Sequence, residues 1–192
     1  MKYFICFIIH VLIAGMSAHA QGYYLDEGEK VALYPDVEWI KGRGFTAFDS
    51  SRIYIIELWA TWCKPCIEAM PHLDTLSTKY RQNIVFIAQS VMEDDIKKVR
   101  SFIENRWPHY TLNFAFAGGS GSDFDKKWLK PSGTSVLPRT FVVMNNTLVW
   151  ITTPASINES VVQLLLSGKF TINAAMKLQK GGREVLLTQI IE

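Results

Sequence analysis

The stretch I-Y-I-I-E-L-W-A-T-W-C-K-P-C, Ile53 to Cys66, decides how the rest of the chain reads. Its first part, Ile53 to Ala60, is a nearly continuous apolar run rich in isoleucine and aromatics. Such a run reads as a strand buried on both faces of a parallel sheet. From Cys63 the period changes. Ile67, Met70, Leu73, Leu76 and Tyr80 recur at helical spacing, which predicts a helix over Cys63 to Tyr80. The two cysteines therefore sit where a buried strand gives way to a helix. A helix start carries unpaired N–H groups and the positive end of the dipole. A thiolate placed there is stabilised, which makes Cys63 the candidate nucleophile with a lowered pKa. Cys66, one turn further, is at reach to attack a mixed disulfide and release the product. Pro65 sets φ in the first turn, where its missing N–H costs little. Lys64 adds a positive charge beside the thiolate.

Other uses of C-x-x-C fit less well. Structural zinc usually takes four ligands. Beyond the first twenty residues only His72 and His109 accompany the two cysteines. Covalent haem attachment needs a histidine directly after the second cysteine, and Ile67 stands there. A bridge between residues three apart closes a tiny loop and stabilises a fold least in the chain-entropy account, so a purely structural disulfide is disfavoured.

The whole chain has 192 residues, 48% of them hydrophobic, which suits one domain with a sizeable core. Twenty basic residues face eighteen acidic ones. That balance, with no Lys/Arg cluster, gives no electrostatic footprint for nucleic acid. Residues 1–20 read as a secretory signal peptide: Lys2, an apolar run from Tyr3 to Ala14, then Ala18-His19-Ala20 before a cut. The run is short for a bilayer span, and His10 interrupts it. Cleavage after Ala20 would remove Cys6 and leave two cysteines of the three. An exported, periplasmic or otherwise extracytoplasmic location follows.

Further along, strands are expected near Val37 to Ile40, over Ile84 to Ala88, Leu112 to Phe116, Thr140 to Met144 and Leu148 to Thr152. The last two flank an Asn145-Asn146 turn, a hairpin signal. Helices are expected over Asp94 to Trp107, Asp123 to Leu129 with Ser122 as cap, and Asn158 to Leu166 with Ser156 or Asn158 as cap. Gly118 to Ser122 is glycine-rich but lacks phosphate-loop spacing, so a flexible loop is expected. Strands alternating with helices and ending in a hairpin and a helix describe an α/β sandwich with a mixed central sheet. The domain runs over residues 21–170, and 171–192 form a C-terminal extension of undetermined structure.

The segment E-L-W-A-T-W-C-K-P-C, followed by E-A-M-P, resembles the active site of the thioredoxin superfamily, in particular its TlpA/ResA branch of exported thiol–disulfide oxidoreductases. D-V-E-W-I-K-G, S-V-L-P-R-T-F-V-V and L-L-S-G-K-F extend the likeness over roughly Pro35 to Phe170. The resemblance implies a thioredoxin-like three-layer α/β/α sandwich and thiol–disulfide exchange, with a lean towards reduction. It implies no bound cofactor. Pro138 matches the family's cis-proline facing the cysteines, and Pro71 matches its helix-kinking proline. Glu57, six residues before Cys63, matches the buried acid beneath the second cysteine. A carboxyl in an apolar strand has a raised pKa and suits proton exchange with a thiol. Trp59 and Trp62 are expected to shape the surface around the cysteines, and Trp107, Trp128 and Trp150 to pack. Partners would be protein thiols and disulfides plus a membrane or extracytoplasmic electron donor, with the chain a monomer. Two other readings use the same residues: a soft-metal chaperone carrying Cu(I) on both thiolates, and a non-catalytic binding module using the groove near Pro138.

Overall fold

Strand β2 (Ile53–Trp59) is buried at every position, as its nearly continuous apolar run predicts, with Glu57 the one charged residue carried inside. It is followed by helix α1 (Lys64–Tyr80), strand β3 (Ile84–Ser90), helix α2 (Ile96–Arg106) and strand β4 (Asn113–Phe116). A short strand β1 (Glu38–Lys41) precedes them. After a single π-helical turn (Asp125–Leu129) come strands β5 (Arg139–Met144) and β6 (Thr147–Thr152), a 3-10 turn (Pro154–Ser156) and helix α3 (Glu159–Leu166). The computed structural model describes residues 24–179. The expected signal peptide, its cut site and Cys6 lie outside the described residues.

The six strands form one mixed sheet in the order β1-β4-β3-β2-β5-β6. β2, β3 and β4 are parallel, while β5 pairs antiparallel with β2 and β6 with β5. Side chains alternate across β2. Ile53, Ile55 and Trp59 join the core containing Met70 and Leu73 of α1, Val99 of α2 and Val161 of α3. Tyr54, Ile56 and Leu58 join a second core with Leu25, Tyr34, Phe48, Phe124 and Trp128. Helices thus cover one face. The other is covered by the irregular segment 25–48 and the π-helical turn, a thinner layer than a full α/β/α sandwich has.

Two helices carry a side-chain cap, and of these Asn158 is the one legible in the sequence. Asn158 accepts a hydrogen bond from the Val161 N–H at 3.0 Å, and Asp95 accepts one from the Lys98 N–H at 3.1 Å. Losing such a cap costs about 1 kcal/mol. Asn158→Ala is therefore expected to lower the unfolding free energy by about that amount, seen as a lower urea midpoint with an unchanged m-value in far-UV circular dichroism. At the hairpin, Asn145 and Asn146 both take left-handed φ, 52° and 54°. Asparagine tolerates that region, and two such residues make the turn whose twist suits adjoining strands.

One expectation needs correction. The Gly118–Ser122 loop is not loose. The Gly119 N–H donates to Asp94 at 3.0 Å, the Gly121 N–H donates to Asp125 at 2.6 Å, and the Ser122 hydroxyl accepts from the Asp125 N–H at 3.1 Å. Carboxylates of its own chain occupy these amides. A Cβ at Gly119 would run into the Asp94 carboxylate, which would have to move off the Gly119 N–H. Of the C-terminal extension, whose structure the sequence leaves undetermined, 172–179 is helical, and Ala175 is buried in the helix-side core.

Candidate active site

The site begins with the geometry of one turn. β2 ends at Trp59, and the Cys63 N–H closes back onto the Ala60 carbonyl at 3.0 Å. Cys63 is the N-cap of α1, with extended backbone (φ −85°, ψ 91°), and its side chain makes no cap hydrogen bond. The Ile67 N–H donates to the Cys63 carbonyl at 3.1 Å, the first bond of the helix. A sulfur therefore stands where an oxygen cap would normally satisfy the first-turn amides. Cys66 lies in that first turn, and the two sulfurs are joined in a disulfide. Cys63 is 4% exposed and Cys66 is 0% exposed. Cys66 Sγ lies 3.8 Å from the Leu58 carbonyl oxygen, an acceptor for its proton once the bond is reduced.

Opposite the turn, the Leu137–Pro138 peptide bond is cis. Pro138 leads directly into β5, whose Arg139 and Thr140 pair with Leu58 and Glu57 of β2. This register joins Pro138 to the strand that leads into the cysteines. The preceding connection is braced rather than free. The Ser132 hydroxyl donates to the Trp128 carbonyl at 2.6 Å, the Thr134 N–H donates to the Leu129 carbonyl at 2.9 Å, and Thr134 is buried.

Glu57 is 2% exposed, on the helix-covered side of β2 set by the alternation with Ile55 and Trp59. The Thr140 hydroxyl donates to its Oε2, while its Oε1 is buried without a partner. Burial pushes its pKa well above the ordinary carboxylate range, and the Thr140 hydrogen bond opposes part of that rise. Burial thus disfavours the ionised form, so this carboxyl holds its proton to higher pH than an exposed glutamate does.

The aromatic surroundings divide. Trp62 is 57% exposed beside Cys63, and Val136, two residues before Pro138, is 60% exposed. Trp59 corrects an expectation. It is wholly buried, with its ring centroid 5.1 Å from Trp107 and 5.8 Å from Phe102. The alternation that buries Ile53 and Ile55 carries it inward, so it supports the turn from beneath. Trp107, Trp128 and Trp150 are buried packing residues, as the sequence suggests. Pro65 occupies the first turn as expected. Lys64 turns out differently: its ammonium lies 3.6 Å from the Glu68 carboxylate and both are exposed, so its charge is screened and shared. Pro71 lies inside α1, and without an N–H it leaves the Ile67 carbonyl without its helical donor. His72 is a surface residue whose Nε2 hydrogen-bonds with the Ile157 carbonyl at 2.7 Å.

One residue at the turn is not signalled by sequence pattern. Glu93, beyond β3, accepts a hydrogen bond from the Thr61 hydroxyl at 2.7 Å and another from the Ser90 hydroxyl at 2.7 Å. Thirty-two residues separate Glu93 from Thr61, so only the parallel pairing of β2 with β3 brings them together. Among the described residues no group of three or more His, Cys, Asp or Glu side chains could hold a metal ion. A soft ion on the two sulfurs would have those two ligands alone. No helix of the described residues is long and apolar enough to cross a membrane. A cavity of about 510 Å³ lined by Arg43, Arg52, Arg81 and Phe86 lies at the opposite ends of β2 and β3, away from the cysteines.

A C-x-x-C helix start on a buried strand, joined through the sheet to a cis-proline, defines a thioredoxin-fold protein. Residues 45–165 match the Redoxin family, and the chain belongs to it. It is 30% identical over 118 residues to the thiol-disulfide oxidoreductase ResA of Bacillus thuringiensis subsp. konkukian (strain 97-27), an alignment covering 61% of this chain and 56% of that one. The chain thus spans little more than half the length of this relative. A Bacteroides vulgatus crystal structure superposes with a TM-score of 0.57 at 23% identity, covering 74% of this chain and 96% of that one. The thio-disulfide isomerase of Thermus thermophilus superposes with a TM-score of 0.55 at 20% identity, covering 75% and 98%. At these identities the two structures speak to the fold, which is the thioredoxin-like α/β arrangement expected.

Proposed function

We propose that this chain is an exported thiol–disulfide oxidoreductase that reduces disulfides in other proteins through Cys63 and Cys66. The observation carrying this reading is the placement of the bonded cysteine pair at an uncapped helix start. In the reduced state the Cys63 thiolate attacks a partner disulfide, forming a mixed disulfide and expelling one partner sulfur. Cys66 then loses its proton and attacks the Cys63 sulfur, expelling the second partner sulfur and closing the Cys63–Cys66 bond. The pair gives up two electrons, and the partner gains two electrons and two protons. Glu57 exchanges the Cys66 proton, and Pro138 presents backbone to an extended partner. Exposed Trp62 and Val136 give that partner apolar footing. The likeness to ResA supports the chemistry, and the leader-like first twenty residues support export. An extracytoplasmic thiol donor would re-reduce the pair, and the chain acts as a monomer.

The test uses the whole chain after reduction. Wild type is expected to reduce the interchain disulfides of insulin. Cys66→Ala, expressed with its leader, is expected to accumulate mixed disulfides with extracytoplasmic proteins that dissolve in dithiothreitol. Inert wild type together with an absence of such adducts would overturn the reading.

A further inference from the structure

The turn carrying Cys63 is held from outside by one carboxylate. Glu93 Oε1 receives the Thr61 N–H at 3.1 Å and the Ser90 hydroxyl at 2.7 Å, while Oε2 receives the Thr61 hydroxyl at 2.7 Å. Thr61 is buried and lies two residues before Cys63. The Val91 N–H donates to the Trp59 carbonyl at 3.0 Å, carrying the β2–β3 pairing up to this point. Directly before Glu93, Met92 adopts a left-handed φ of 57°. L side chains rarely take that region, and it persists where surrounding contacts enforce it. Here the reversal at Met92 leads straight into the residue that reaches back to Thr61.

Two other ionisable groups lie near the cysteines on the sheet: Glu57 of β2, with Oε1 unpartnered, and Arg139 beside Pro138, with Nε buried and unpartnered. The first turn of α1 contains no acidic residue. Lys64 pairs with Glu68 at the surface. Among the described residues, Glu93 is the carboxylate hydrogen-bonded to the Ala60–Cys63 turn.

We propose that Glu93 is a positioning residue for thiol–disulfide exchange, bracing the turn before Cys63 and, by its negative charge, keeping the Cys63–Cys66 couple reducing. This rests on the exchange reading above. Glu93 gains and loses no proton in either step, and the two electrons still pass from the cysteine pair to the partner disulfide. Its charge acts on the balance between forms. A carboxylate disfavours a nearby thiolate. A less stabilised thiolate means a less stabilised reduced pair, hence a stronger reductant. The carboxylate thus opposes the helix start, which pulls the other way.

Glu93→Gln separates charge from bracing. The glutamine oxygen still receives the Thr61 N–H and the Ser90 hydroxyl, and its amide can donate to the Thr61 hydroxyl oxygen. The variant is expected to keep the wild-type melting temperature. The thiolate fraction of Cys63, read from iodoacetamide rates against pH, is expected to rise about three- to tenfold at mildly acidic pH. Equilibration with glutathione is expected to shift by the same factor, about 15–30 mV more oxidising for a two-electron couple. Thr61→Val loosens the brace and leaves the carboxylate charged, so it is expected to leave the alkylation midpoint in place or raise it. A fall in Thr61→Val matching that of Glu93→Gln would assign the effect to turn geometry and overturn the electrostatic role. An unmoved midpoint and potential in Glu93→Gln, with wild type still reducing insulin, would overturn this proposal alone. Wild type that fails on insulin would instead remove the exchange reading on which it rests.

Discussion

Cys63→Ser is expected to abolish disulfide reduction, by on the order of 10⁴-fold or more, the scale on which removal of a nucleophile acts. Cys66→Ser is expected to retain the first attack and to stall as a mixed disulfide. The asymmetry comes from position along α1 rather than exposure, since both sulfurs are nearly covered in the oxidised pair. Cys63 is the N-cap and leaves the first-turn amides without a side-chain partner. These amides and the dipole stabilise a thiolate at that point and much less so one turn inside. In the reduced protein, brief alkylation near pH 6 is expected to label Cys63 well ahead of Cys66, read by peptide mass mapping. Preferential labelling of Cys66 would reverse the assigned roles.

Glu57→Gln is expected to stabilise the fold at neutral and alkaline pH while slowing exchange. Burial raises the Glu57 pKa in the folded chain above its unfolded value. The folded state therefore holds the proton more tightly. As pH rises past the ordinary carboxylate range the unfolded chain ionises first, and stability falls until the folded carboxyl also ionises. The Thr140 hydroxyl offsets part of this, but Oε1 has no partner. Glutamine carries no such linkage. Its advantage is expected to be absent below about pH 4, where glutamate is neutral in both states. Above that it grows to on the order of 1–3 kcal/mol, the cost of an ill-satisfied buried polar group. Denaturant melts at pH 4 and pH 8 measure the difference. Loss of the proton acceptor is expected to lower the exchange rate by about a hundredfold and to remove one limb of its pH profile. A parallel shift of stability at both pH values would show that Glu57 carries no raised pKa.

The reach of the sequence can be judged residue by residue. The Ile53–Cys66 stretch contains its own answer because its signals are local. A nearly continuous apolar run, a proline in a helix's first turn and two cysteines three apart each act within one turn or strand. The cap at Asn158 and the Asn145-Asn146 turn are local in the same sense. Trp59 was misjudged because proximity to Cys63 along the chain says nothing of which face of β2 its side chain takes. The alternation from Ile53 and Ile55 carried that information, and it outranks adjacency.

By itself the sequence determined the strand–helix junction, the redox pair, the mixed α/β class and most element boundaries, since these follow from periodicity and local backbone preference. Tertiary structure alone decided the rest. It set the thin layer over the second face of the sheet, fastened the glycine loop by Asp94 and Asp125, and buried Ala175 beyond the expected domain end. It also brought Glu93 onto Thr61 and Thr140 onto Glu57. The last two pairs join groups far apart in the chain through strand register, and register is fixed by how whole faces bury rather than by any short motif.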